Sequence, residues 1–306
     1  MVLRILLSAF VVAFVSVFSQ TMAQESKQAA QFRVSVEMVS LSVTVFDEKQ
    51  RLVTDLEPEN FAIYEDGVAQ KIRVFSKEDL PLRMVILLDT SASMGRRMDL
   101  AQEAAVRFAR SLKERDQVKV IEFNSRVLTL AEFTTDFEKV ENAIRATKAE
   151  GATSLYEALY IALRSLSRRR QGDERQSIVV LSDGNDTRSL VTFEDVRQLA
   201  RKTDVLIYTI SLRGSKDDLK KQKYSDAKYE LEKLSGETGG SSFAPEQSKD
   251  LSGIYEQIAI ELKSQYNIGY VSTNTNSDGA WRRLQIRCDR EGSAVRSRIG
   301  YYAPRM

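Results

Sequence analysis

Histidine is absent from all 306 residues. Without it there is no Ser-His-Asp arrangement, and the commonest general base in enzyme sites is missing. Cysteine is nearly absent too: Cys288 is the only one, so no internal disulfide can form. It alternates with Leu284 and Ile286, a pattern that predicts a buried thiol in a strand rather than a reactive one. Charge of either sign is not in excess, with 45 basic against 43 acidic residues. Nucleic-acid binding is therefore not expected. No glycine-rich phosphate loop occurs, so no nucleotide is expected either. The densest basic run, Arg168-Arg169-Arg170, ends a helical pattern, where cations meet the helix dipole favourably.

The amino terminus is not expected to belong to the fold. Arg4 precedes an apolar run over 5–18 that is too short for an ordinary membrane span. Thr21-Met22-Ala23 then offers the small residues a signal peptidase prefers. Residues 1–23 read as a signal peptide cleaved near Ala23-Gln24, with an uncleaved anchor as the alternative. A membrane contact is expected only in that alternative. The reading implies an exported protein, in the periplasm, in the cell envelope or secreted. Residues 24–31 form a short polar linker.

Two kinds of alternation run through the rest of the chain. Phe32, Val34, Val36 and Met38 have period two, and Leu41, Val43 and Val45 continue it in the opposite parity, predicting a bulge or break near Val39. Further extended segments flank the turn Glu65-Asp66-Gly67. From 82 to 264 strands and helices alternate. Strands are expected over 84–88, 118–123, 177–181 and 205–210, with an antiparallel edge strand over 127–133 and a short one at Ser242-Phe243. Helices are expected over 98–113, 137–147, 154–168, 193–202, 229–237 and 249–263. Residues 212–227 are highly charged and read as an exposed loop. On the first helix Leu100, Ala104, Ala105, Phe108 and Leu112 are expected to face inward. Period two returns after 265, in Tyr266, Ile268, Tyr270, then Leu284 and Ile286.

Repeated strand–helix units imply a doubly wound, mainly parallel α/β sheet. Neither terminal β piece has enough strands to bury a core alone. They are expected to pair (32–81 with 265–306) as a small antiparallel β-sandwich-like domain into which the α/β domain of 82–264 is inserted. The helix over 249–263 would then run into that domain with almost no linker, so that its movement could be coupled to the β strands. A rigid junction is the alternative.

One run of residues carries chemistry. Asp89-Thr-Ser91-Ala-Ser93 directly follows the buried strand, at the strand end where ligands bind in open α/β sheets. Alternate residues there can aim one carboxylate and two hydroxyls at one spot, a donor set that suits a hard cation. Glu150-Gly-Ala-Thr153-Ser154 opens a later helix, and Ser182-Asp183-Gly184 leaves a second buried strand. Read singly, these are helix caps and a turn.

Together the three segments resemble the metal-ion-dependent adhesion site of von Willebrand factor type A domains. The resemblance implies that Ser91 and Ser93 bind the metal directly and Thr153 directly or through water. Asp89 and Asp183 would surround it, partly through water. Mg²⁺ is the favoured ion, with Mn²⁺ and Ca²⁺ as alternatives. Neutral hydroxyls cancel little of the ion's charge, so it would seek one more anionic oxygen, an Asp or Glu of a partner protein. The segments Asn60-Phe-Ala-Ile-Tyr-Glu-Asp-Gly67 and Gln265-Tyr-Asn-Ile-Gly-Tyr270 are similar to those of exported bacterial proteins of the VWFA-related type. The expected function is thus a non-enzymatic, metal-dependent protein-binding module. A scaffold with an unused site is the main alternative. A metal-assisted hydrolase is a remote one, since no lysine neighbours the serines closely and no second carboxylate cluster suggests a two-metal site.

Overall fold

The computed structural model describes residues 38–167, 174–182, 186–212, 222–245 and 250–305, with only the backbone for 222–227. The expected signal segment 1–23, linker 24–31, residues 32–37 and the arginine run 168–170 lie outside the described residues.

A six-stranded sheet forms around β5 (Leu82–Asp89), whose eight residues are all buried. Its neighbours are β6 (Gln117–Phe123) on one side and β8 (Arg175–Ser182) on the other, both parallel to it. Beyond β6 lies β7 (Val127–Thr134), antiparallel at the edge. Beyond β8 come β9 (Leu206–Ser211) and the short β10 (Ser242–Phe243), both parallel. The spatial order is therefore β10-β9-β8-β5-β6-β7. The chain winds outward from β5 in one direction, then returns to its other side. That reversal creates a crevice at the carboxyl ends of β5 and β8.

Both faces of this sheet are covered, which is why its strands are apolar without alternation. Met84, Ile86 and Leu88 pack with helices α1 (Met98–Arg110), α2 (Phe137–Arg145) and α6 (Leu251–Lys263). Val85 and Leu87 face α3 (Leu155–Ser167), α4 (Phe193–Ala200) and α5 (Gln222–Thr238).

The remaining strands form two four-stranded sheets, in the orders β13-β1-β11-β4 and β14-β12-β2-β3. Here β1 is Met38–Phe46, β2 Phe61–Glu65, β3 Val68–Gln70, β4 Ile72–Ser76, β11 Tyr266–Val271, β12 Trp281–Cys288, β13 Ala294–Arg296 and β14 Gly300–Tyr302. Each sheet mixes strands from both ends of the chain: β1 pairs antiparallel with β11, and β2 with β12. Val39, Leu41, Val43 and Val45 of one sheet and Phe61, Ile63 and Leu284 of the other share one core with Tyr266 and Tyr270. An antiparallel sandwich thus accompanies the doubly wound sheet, as the sequence pattern predicts. Glu65 is buried in it and pairs with no cation among the described residues. Its carboxylate accepts from Tyr270 OH at 2.6 Å, Ser272 Oγ at 2.6 Å and Tyr301 OH at 2.9 Å.

Two residues separate α6 from β11, and a buried polar network crosses this junction. Glu261 of α6 accepts from Tyr208 OH at 2.7 Å and pairs with Arg296 of β13. Gln265 Nε2 donates to Thr44 Oγ1 of β1 at 3.2 Å. Arg175 of β8 donates to Leu262 O and, at 2.9 Å, to Asn267 Oδ1. Burial lowers the Arg175 guanidinium from its usual range and, ahead of the Glu261 carboxylate, raises the Tyr208 phenol.

Several local expectations differ from the structure, and Cys288, for one, is half-buried rather than buried. Leu100 is 47% exposed, because it lies beyond the edge of the stripe of Ala101, Ala104, Ala105 and Phe108, about 90° from its centre. Residues 222–227 are helical rather than loop, so α5 starts before its apolar positions do. Finally, β1 pairs continuously with β11 through Val39. The register shift lies instead at Gly269/Tyr270, against β4.

Candidate metal centre

Asp89 ends β5 at the crevice and is 1% exposed. Its Oδ1 accepts the Ser91 N–H at 2.9 Å, and its Oδ2 accepts the Ser182 hydroxyl from the end of β8 at 2.5 Å. Both oxygens are thereby oriented, and charge-assisted bonds of this kind are the strong ones. The chain then turns through a 3-10 segment, Ala92–Met94, whose Met94 is fully buried and anchors the loop in the core. Ser91 is buried and Ser93 exposed, so the loop opens towards solvent on the Ser93 side.

The hydroxyl oxygens of Ser91 and Ser93 lie 3.0 Å apart. An octahedral ion with ligands at about 2.1 Å has neighbouring oxygens about 3.0 Å apart. The pair therefore fits one edge of a Mg²⁺ octahedron, and at that distance each hydroxyl can also bond the other. Among the described residues no three His, Cys, Asp or Glu side chains cluster as a metal site. The donor set here is one carboxylate with hydroxyls, which fits a hard cation and not a soft one.

The loop carrying Thr153 is tied to this segment through its backbone. Glu150 N–H donates to Thr90 O at 2.7 Å, and Ala92 N–H to Gly151 O at 3.1 Å. Gly151 has φ +75°, a conformation open to glycine at no steric cost. The end of β6 holds the same loop, since Ala152 N–H donates to Ser125 Oγ at 2.9 Å and Ser154 N–H to Asn124 O at 2.9 Å. Thr153 itself uses its main chain. Its N–H donates to Thr187 Oγ1 at 3.0 Å, and its carbonyl accepts from Thr187 N–H and Arg188 N–H. No hydrogen bond to a described residue occupies its hydroxyl.

Four of the five predicted site residues thus stand on hydrogen-bonded loops at one end of the sheet. Asp183 lies outside the described residues. The sequence reading missed the supporting set: Ser182 on Asp89, Ser125 under Ala152, and the segment Asp186–Thr187–Ser189. Asp186 Oδ1 and Ser189 Oγ accept from Tyr156 N–H and Glu157 N–H, satisfying amides that the first turn of α3 leaves unpaired. Polar residues directly after a buried strand, as in Asn124-Ser125, are the signal that could have found part of it.

Charge around the mouth is uneven. Burial, followed by the Glu150 carboxylate, raises Glu122 at the end of β6 above its usual range, while Arg126 opposes the shift. Arg96 and Arg188 are exposed on the loops next to Ser93 and Thr153.

Residues 84–185 match the family model for the von Willebrand factor type A domain. Over those residues the chain matches a von Willebrand factor type A domain. A stretch of 127 residues is 28% identical to the mouse inter-alpha-trypsin inhibitor heavy chain 4, covering 37% of this chain and 14% of that protein. The chain thus spans about a seventh of the length of that curated relative. A von Willebrand factor type A structure from Catenulispora acidiphila superposes with a TM-score of 0.50 at 12% identity, over 89% of this chain and 76% of that one. Proximal thread matrix protein 1 of the mussel byssus, solved with zinc in its adhesion-site motif, gives 0.50 at 17% identity, over 63% and 48%. Such domains are commonly protein-interaction modules, often metal-dependent. No helix of the described residues is long and apolar enough to cross a membrane.

Proposed function

We propose that this chain is an exported, non-enzymatic module that binds a partner protein through a divalent cation. Asp89, Ser91, Ser93, Thr153 and Asp183 would hold the ion, with Mg²⁺ favoured over Mn²⁺ or Ca²⁺. When bound, it would supply a positive centre that accepts a carboxylate oxygen from an Asp or Glu of the partner. The protein's share of the work is preorganisation. Asp89 is fixed at both oxygens before any ion arrives, and the Ser91–Ser93 oxygen pair already has the spacing of an octahedral edge. That spacing is the observation that carries the reading.

Export is part of the proposal and rests on Arg4, the apolar run after it and Thr21-Met22-Ala23. A scaffold role with an unused site has one observation in its favour: the two serine hydroxyls satisfy each other without an ion. Binding to an immobilised peptide with a single aspartate separates the two. The module should be retained in Mg²⁺ and released by EDTA, and Asp89→Ala should abolish retention. Equal behaviour with and without metal would favour the scaffold.

A further inference from the structure

We propose that the mouth of this site reads a second acidic group next to the one that would meet the cation. Arg96 and Arg188 are the residues that read it. The inference rests on the metal-dependent reading above and deepens it, because it makes the partner segment di-acidic rather than singly acidic.

Arg107 pairs with Glu103, Arg110 and Arg145 with Glu141, and Arg197 and Arg201 with Glu237. Arg96 and Arg188 are fully described and exposed, yet neither pairs with a carboxylate or makes a side-chain hydrogen bond among the described residues. Both sit on the loops that build the candidate site. Arg96 is three residues beyond Ser93, a span of at most about 11 Å. Its turn is fixed on both sides by Gly95 N–H to Ala92 O at 3.3 Å and Arg97 N–H to Met94 O at 2.7 Å. Arg188 is attached more directly, since its own N–H donates to Thr153 O at 3.2 Å.

The β6 side of the mouth carries the carboxylates of Glu122 and Glu150, with Arg126 near Glu122. Glu150 is bonded through its N–H to Thr90, and Glu122 lies near enough to Glu150 for the two to repel. A second carboxylate on a partner would be repelled on that side and attracted on the arginine side. Guanidinium forks suit carboxylates through paired N–H donors. Leu190, 93% exposed two residues after Arg188, adds an apolar surface beside the same lip.

The test uses two short glycine–serine peptides, one with a single aspartate and one with an aspartate and a nearby glutamate. Binding of each to the full chain is measured in Mg²⁺ and in EDTA, for wild type and for the double variant Arg96→Gln/Arg188→Gln. Two exposed charge pairs predict that the di-acidic peptide binds wild type about five- to tenfold more tightly than the mono-acidic one. In the double variant that preference should fall to about twofold or less, with mono-acidic binding changed little. Thermal melting of the variant checks that it is folded, as exposed substitutions should leave it. Metal-dependent binding of both peptides with equal affinity, or a preference that survives in the double variant, would overturn the arginine assignment and leave the metal reading intact. Absence of any metal-dependent binding to wild type would overturn both.

Discussion

Gly151→Ala probes the loop geometry on which the candidate site depends. Gly151 has φ +75°, and a Cβ there would lie 2.6 Å from Ser125 Oγ. Alanine in the left-handed region costs about 1–2 kcal/mol. Ser125 Oγ would also have to move, which sacrifices its bond from Ala152 N–H, a contribution of about 1 kcal/mol. The sum is about 2–3 kcal/mol, and at about 2–4 °C per kcal/mol the melting temperature should fall by about 5–10 °C. Calorimetry measures the fall, and repeating the melt in Mg²⁺ shows whether displacing the Thr153 loop also weakens metal-linked stabilisation. Adding Ser125→Gly relieves the clash but not the backbone strain. A double-mutant cycle should therefore show a favourable coupling of about 1 kcal/mol. An unchanged melting temperature in Gly151→Ala, together with an unchanged response to Mg²⁺, would refute this account of the loop.

Three further substitutions have expected outcomes. Glu65→Ala leaves the hydroxyls of Tyr270, Ser272 and Tyr301 without their acceptor and should cost about 3–5 kcal/mol; urea denaturation checks it, and a loss under about 1 kcal/mol would contradict it. Removing Glu65 should also let the Tyr301 phenol, pushed up to about 12 by burial and then by that carboxylate, titrate lower in absorbance against pH. Glu122 has a raised carboxyl in the folded chain, so the folded state binds its proton more tightly and stability is lost as pH rises through the window above the ordinary glutamate range. Glu122→Gln should therefore melt higher than wild type at neutral pH, with the gap closing towards about pH 4; a gap that does not change with pH would contradict the sign. Gly236 lies in α5 with open space where a Cβ would stand, so Gly236→Ala should stabilise by about 0.5–1 kcal/mol in the same melts.

Much of the architecture was legible in local pattern. The unbroken apolar runs of β5 and β8 announced strands buried on both faces, and the alternation before 81 and after 265 announced sheets with one face inward. That the two terminal pieces would meet followed from counting strands too few to bury a core. Helix ends were less legible. The expected helix over 98–113 stops at Arg110, since its last turn gives way to Ser111 and Asp116, whose side chains bond back to Phe108 O and Lys113 N–H. Leu100 was misplaced because apolarity alone does not fix a residue's angle on the helix. At the site, Asp89, Ser91 and Ser93 could be picked out because they directly follow a buried strand, and Thr153 through the resemblance of the three segments to the adhesion site. Their supports could not, because Ser182 on Asp89 and Thr187 on Thr153 are contacts across 93 and 34 residues. The Glu261–Arg296 pair is equally non-local, and it ties α6 to the sandwich.

The central claim is that oxygens from separate loops form a cation site, and a metal titration of thermal stability tests it most directly. Specific binding to the folded chain adds about 2.7 kcal/mol when Mg²⁺ reaches a hundred times its dissociation constant. Wild type should therefore melt progressively higher as Mg²⁺ is added, EDTA should reverse the gain, and Asp89→Ala should show no gain. A wild-type melting temperature indifferent to Mg²⁺, Mn²⁺ and Ca²⁺, or a gain that survives in Asp89→Ala, would contradict the account.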